Sequence, residues 1–175
     1  LYIGAEYCPF CASERWSLIA ALSRFGEFGE IQPMRSSSSD IFPDTPTFTF
    51  YRSQYASPYF HFVAVETATR DRAPLEQPSP EARALMTRED PGGAIPFIAI
   101  GTHAYTVGSS YDPGLLAGKS WAEIAAGLAN ASNPTTRAIV GNANYYTAAI
   151  CRATGDQPTA VCRSQAILEI SQPAR

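Results

Sequence analysis

Apolar and polar positions follow one another in blocks, and each block predicts an element. Leu1-Tyr2-Ile3-Gly4-Ala5 is a short apolar run that reads as the end of a strand. After it Trp16, Leu18, Ile19, Leu22 and Phe25 recur at helical spacing, with Gly26 as the expected stop. Ile31-Gln32-Pro33-Met34 begins a further strand. Thr47 to Tyr51 alternates threonine with aromatic residues at period two, and Tyr59 to Thr67 is a second strand signal; Ser57-Pro58 between them predicts a hairpin or bent ribbon. Ser79-Pro80-Glu81 opens a short helix carrying Leu85 and Met86, with serine as cap and proline at the first helical position. Phe97–Ile100 and Ala104–Val107, separated by Gly101-Thr102-His103, read as a hairpin. Ser120 and Glu123 form a capping box ahead of a Trp121, Ile124, Ala125, Leu128 stripe. Asn133-Pro134 opens a helix with Ile139, Ala143, Tyr146 and Ile150 on one face, ending by Gly155, and a last helix covers residues 159–170.

The order strand–helix–strands–helix–hairpin–helices predicts an α/β fold, a mixed sheet flanked by helices with a C-terminal helical extension. At 175 residues the chain suits a single domain, with a core over roughly residues 1–130 and the extension over 131–175. A net charge of −3, with twelve arginines, the single lysine Lys119 and no basic run, excludes a nucleic-acid-binding role. No stretch approaches the about 18–20 continuous apolar residues of a membrane span. The sequence opens on Leu1 inside a strand, so the natural chain is expected to extend upstream, where a signal peptide or a single membrane anchor would fit. Four cysteines, an even number, permit two disulfides and favour an oxidising compartment. The run Ser36-Ser37-Ser38-Ser39-Asp40 reads as a flexible connection or, more pointedly, as a mobile loop beside the first cysteine pair.

That pair carries the chemistry. Cys8-Pro9-Phe10-Cys11 stands between the first strand and the first helix, so Cys8 falls at the helix N-terminus, where unpaired amides and the macrodipole favour a negative charge. A thiolate is such a charge. Cys8 is therefore the expected nucleophile, with a depressed pKa and more exposure than its neighbour, and Cys11, one turn inside the helix, the resolving thiol. A structural disulfide and a zinc site are the other readings of the motif. Zinc would draw its remaining ligands from Cys151, Cys162, His61 and His103. Ten residues separate Cys151 from Cys162 across a helix–turn–helix, a spacing that suits a disulfide stapling two helices. His61 reads as a strand residue and His103 as a turn residue. Asn130-Ala131-Ser132 matches a glycan acceptor pattern.

The second signal is Gly93-Ala94-Ile95-Pro96-Phe97-Ile98, a proline entering a strand. Together, strand–CPFC–helix and this later Ile-Pro resemble the thioredoxin-like superfamily. The wider pattern, from Gly4 to Cys11 through Glu14-Arg15-Trp16 and Tyr51 to the helix of residues 138–151, is similar to an uncharacterised extracytoplasmic branch tethered by an N-terminal membrane helix. The resemblance implies that Cys8 and Cys11 are the catalytic dithiol, Pro96 a cis-proline and Ile95 the residue whose backbone pairs with substrate. It further implies a thiol–disulfide oxidoreductase that needs no cofactor and meets a protein substrate and a redox partner through mixed disulfides. A non-catalytic thioredoxin-like binding domain with two structural disulfides is the alternative. Thioredoxins carry a buried carboxylate six residues before the first cysteine; here Tyr2 holds that position, and Glu6 is the nearest acid. No histidine stands between the cysteines, so the helix N-terminus must supply most of the thiolate's stabilisation.

Overall fold

Strand β1 (Tyr2–Gly4) is the centre from which the rest is arranged, because its two faces feed two separate cores. The structure, a computed structural model, describes residues 1–102 and 104–171; His103 lies outside the described residues. Helix α1 (Pro9–Leu22) follows β1 directly. Short strands β2 (Glu27–Phe28), β3 (Gln32–Arg35), β4 (Pro46–Thr49) and β5 (Tyr55–Ala56) come next, then β6 (Ala64–Glu66) and helix α2 (Pro80–Glu89). The hairpin β7 (Phe97–Ile100) and β8 (Ala104–Val107) precedes a 3₁₀ turn at Pro113–Leu116. Helices α3 (Trp121–Gly127), α4 (Pro134–Ala153), α5 (Thr159–Cys162) and α6 (Gln165–Ser171) end the described chain.

The main sheet is mixed, in the order β6-β1-β7-β8, with β1 parallel to β6 and the other neighbours antiparallel. Side chains alternate across a strand. Tyr2 therefore looks toward α1 and α4, where it joins Leu18, Leu22, Ile98, Tyr146 and Ile150. Ile3 looks the other way and packs with Val65 and Phe97 under Leu85 and Met86 of α2. A third cluster, Trp16, Leu116, Ile124 and Ile139, seats α3 and the 3₁₀ turn on α1 and α4. The stripe expected on α4 is the one buried, and both Ser120 and Glu123 make their capping-box bonds. A mixed sheet flanked by helices, with a C-terminal helical layer, is the architecture of the chain.

Several expected boundaries differ. Helix α1 stops at Leu22, and Gly26 serves another need: a Cβ there would stand 2.2 Å from the Ala56 carbonyl oxygen, so glycine permits the close pairing of β2 with β5. Strand β4 pairs with β3 and not with the segment after Ser57-Pro58, so the expected hairpin is absent. In that segment only Ala64–Glu66 is a strand; Tyr59 to Val63 is irregular because Phe60 and Phe62 turn onto Phe25, Phe28 and Tyr55 in an aromatic cluster. His61 is thus a loop residue. The last helix is two, broken at Arg163-Ser164, where the Ser164 carbonyl accepts the Ile167 and Leu168 amides and turns the chain to bury Ile167.

Candidate active site

Cys8 is the N-cap of α1, in extended backbone conformation, and Pro9 occupies the first helical position, where a missing N–H costs nothing. The Cys8 sulfur takes the capping role usually given to serine or aspartate: it accepts the Cys11 amide at 3.2 Å, while the Cys8 carbonyl accepts the Ala12 amide at 3.0 Å. Cys8 and Cys11 are both unbonded thiols, and both are buried, at 5% and 0% exposure. Cys8 is thus the more accessible by a small margin only.

Their environments separate them. The Cys11 thiol donating to Cys8 is the largest effect on Cys8; burial opposes it, and the Cys11 amide, the Arg15 charge and the Phe10 amide join it, so the Cys8 pKa lies below that of an ordinary thiol. Burial, first, and then the Cys8 bond and charge push Cys11 well up, against the pull of Arg15 and the Ala5 amide. One sulfur is prepared as a thiolate and the other as a thiol.

Ile95 and Pro96 come to the same place. The Ile95–Pro96 peptide is cis, and the Ile95 carbonyl oxygen lies 3.9 Å from the Cys8 sulfur. Ala5, Cys8 and Cys11 form a small buried cluster against Tyr7, Ala68 and Ile95. The serine run lies beside the dithiol and is tied down on both sides: the Ser37 amide donates to the Tyr7 carbonyl at 2.9 Å, the Ser36 amide donates to the Thr45 carbonyl at 2.9 Å, and the Thr45 amide donates to the Ser36 hydroxyl at 3.0 Å. Phe42 meets Phe10 edge-on, and Arg72 lies over the Tyr7 ring while pairing with Asp40. A connection expected to be loose is therefore one wall of the site.

Charged residues under the dithiol were not foreseen. Arg15, fully buried, grips Glu66 of β6 with two bonds, Nε to Oε1 at 2.9 Å and Nη2 to Oε2 at 2.7 Å, and Nη2 also reaches the Ala5 carbonyl at 2.8 Å. Burial pulls the guanidinium's pKa down, and the charge of Glu66, with those of Tyr2 and Cys11 and the Glu66 hydrogen bond, together more than restores it; burial pushes the Glu66 carboxyl up against the pull of Arg15. Next to Arg15, Glu14 accepts from the Ser110 amide and, each at 2.6 Å, from Asn142 and Tyr146, clasping α1 to α4. Glu6 accepts from Thr49 at 2.7 Å. The available sequence signal was an arginine standing in the inward stripe of α1, four residues after Cys11. Its partner could not be read, because it lies 51 positions away.

Cys151 and Cys162 are joined, tying α4 to α5 far from the dithiol in sequence, and so are spent as ligands for the four-cysteine zinc alternative. Among the described residues no helix is long and apolar enough to cross a membrane. No curated protein and no solved structure matches the chain. Residues 1–84, which include Tyr2, Cys8, Cys11, Arg15 and Glu66, are similar to a family described as a domain of unknown function (DUF929).

Proposed function

We propose that this protein is a thiol–disulfide oxidoreductase with a thioredoxin-like core, acting through Cys8 and Cys11 on extracytoplasmic protein dithiols and disulfides. The observation that carries the reading is the asymmetry of the pair: a Cys8 sulfur that caps α1 and has a depressed pKa, backed by a wholly buried Cys11 whose thiol holds its proton. In the reducing direction the Cys8 thiolate attacks one sulfur of a partner disulfide. A Cys8–partner bond forms, the partner's own S–S bond breaks, and the departing sulfur leaves as a thiolate that takes up a proton. Cys11, its proton lost, attacks the Cys8 sulfur; the Cys8–Cys11 disulfide forms and the second partner sulfur leaves. Two electrons pass from the dithiol to the partner, and the reverse sequence oxidises a dithiol. A redox partner resets the pair through the same mixed disulfides.

The Ile95 backbone beside Cys8 supports a docking place for an extended substrate segment, and the Cys151–Cys162 bond supports an oxidising compartment outside the cytoplasm. The near-burial of Cys8 favours the second reading, a thioredoxin-like domain that binds a partner without exchange. Trapping separates the two. Reduced Cys11→Ser protein incubated with insulin should accumulate a covalent adduct through Cys8, wild type should reduce the insulin and accumulate none, and Cys8→Ser should do neither. Absence of both adduct and reduction would select the binding domain.

A further inference from the structure

The chain has four asparagines, and the fold treats Asn130 differently from the other three. An acceptor for N-linked sugar needs a serine or threonine two residues on and no proline between, which Asn130-Ala131-Ser132 satisfies. Asn133-Pro134-Thr135 has the hydroxyl but also the proline, and Asn133 is spent as the N-cap of α4, its side-chain oxygen accepting the Thr135 amide at 2.9 Å. Asn142 donates to Glu14 at 2.6 Å, and neither it nor Asn144 has a hydroxyl residue at the second place.

Asn130 stands in the turn between α3 and α4, and that turn is held at both ends. The Gly127 carbonyl accepts the Asn130 amide at 2.8 Å and the Thr136 hydroxyl at 2.6 Å, while the Asn130 carbonyl accepts the Asn133 amide at 3.0 Å. Between these anchors Asn130, Ala131 and Ser132 are all exposed. The side-chain oxygen of Asn130 turns back to accept the Ser132 amide at 3.0 Å, an Asx turn, which leaves the side-chain nitrogen as the free end of the group. Among the described residues nothing bonds that nitrogen or the Ser132 hydroxyl. The two groups the pattern requires are therefore unengaged on the surface, and a bulky substituent on the nitrogen displaces no packed side chain.

We propose that Asn130 is the attachment site of an N-linked glycan, transferred to its side-chain nitrogen from a lipid-linked oligosaccharide. The bond from Nδ2 to the anomeric carbon of the first sugar forms, and the bond from that carbon to a phosphate oxygen of the lipid carrier breaks. The phosphate leaves with the electron pair, and the amide gives up one proton. Such transfer takes place outside the cytoplasm, so the site depends on the extracytoplasmic reading of the chain, which the Cys151–Cys162 bond supports.

Two sources of the full chain test this. In one, a cleavable signal peptide sends it through the secretory pathway of a glycosylating eukaryotic cell; in the other, it is purified from the cells that make it naturally. Releasing N-glycans with a glycoamidase in heavy-oxygen water leaves a labelled aspartate at each occupied asparagine, which peptide mass spectrometry reads. Both should carry the label at Asn130 and at no other asparagine. Ser132→Ala keeps the Asx turn, whose donor is a backbone amide, and should lose the glycan entirely; Ser132→Thr should keep it. An unmodified Asn130 in exported wild type whose Cys151–Cys162 bond has formed would overturn the site, as would a label that survives Ser132→Ala. A glycan on the exported protein and none on the natural one would overturn it too, and the cysteines then separate the causes. If they are bonded, the turn goes unused; if they are reduced, the extracytoplasmic reading falls with it.

Discussion

The Cys8 sulfur lies 3.9 Å from the carbonyl oxygen of Ile95, 87 positions further along the chain, and accepts the amide of Cys11 only three positions away. The two contacts favour opposite states. A carbonyl can only accept, so it suits the thiol; an amide can only donate, so it suits the thiolate. With the Cys11 thiol and amide, the Phe10 amide and Arg15 all on the side of the anion, the thiolate prevails over burial.

Reduced protein should therefore be labelled by an alkylating reagent at Cys8 first, with an apparent pKa below the free-thiol value of about 8.5, and at Cys11 far more slowly. Peptide mass spectrometry over a pH series measures both rates. Equal and slow labelling of the two would contradict the asymmetry.

The same asymmetry sets a stability profile. Cys8 ionises in the folded chain below the free-thiol pKa, so between those two values the unfolded chain holds the extra proton and stability rises with pH. Cys11 keeps its proton in the folded chain above the free-thiol value, so past that value stability falls as pH rises. The slope in either window cannot exceed about 1.4 kcal/mol per pH unit. Urea unfolding of protein with both motif thiols reduced, minus that of the Cys8→Ser, Cys11→Ser double variant, should peak near pH ~8.5. A difference that climbs or falls steadily through that region would refute the opposed shifts.

Arg15 and Glu66 are both wholly buried, and each is the other's main partner. Arg15→Met leaves a carboxylate buried and unpaired, and should cost about 3–5 kcal/mol in urea unfolding. Replacing both with methionine should recover most of that loss, because the desolvation of two charges disappears with their attraction. Arg15 also holds the Cys8 pKa down, so the folded double variant should show a higher Cys8 pKa in the alkylation series. A double variant no more stable than Arg15→Met would mean that the pair does more than neutralise itself.

What was legible in the sequence was local. The strand–Cys8–helix junction, the β7–β8 hairpin, the Ser120–Glu123 capping box and the apolar face of α4 each depend on residues within a few turns of one another, and each formed as their spacing indicates. What escaped was decided at long range. Glu66 lies opposite Gly4 only because β6 runs parallel to β1 beside it, and that register is what delivers a carboxylate to Arg15. Aromatic side chains at Phe60 and Phe62 have strand propensity, yet packing on Phe25, Phe28 and Tyr55 governs their backbone. The hydrophobic period likewise says nothing of Gly26, whose role is set by the Ala56 carbonyl of another strand. The dithiol could be found by inspection; the charges beneath it required the fold.

The Cys151–Cys162 bond closes a loop with a sequence separation of 11 between α4 and α5, and it lies in the core that also holds Leu18, Leu22 and Ile167. The bond staples two packed helices, and structural disulfides of this kind resist reduction thermodynamically, so a mild reductant should leave it joined while Cys8 and Cys11 are reduced. Replacing Cys151 and Cys162 with alanine removes the constraint on the unfolded chain and should lower stability by about 3 kcal/mol on the chain-entropy account. It removes nothing from the cluster that holds Cys8, in which Ala5, Cys8 and Cys11 pack against Tyr7, Ala68 and Ile95. The double variant should therefore unfold at lower urea concentration with the wild-type Cys8 alkylation profile intact. Loss of that profile at temperatures where the variant is still folded would show that the C-terminal helices help to shape the dithiol, and that the disulfide is part of the site.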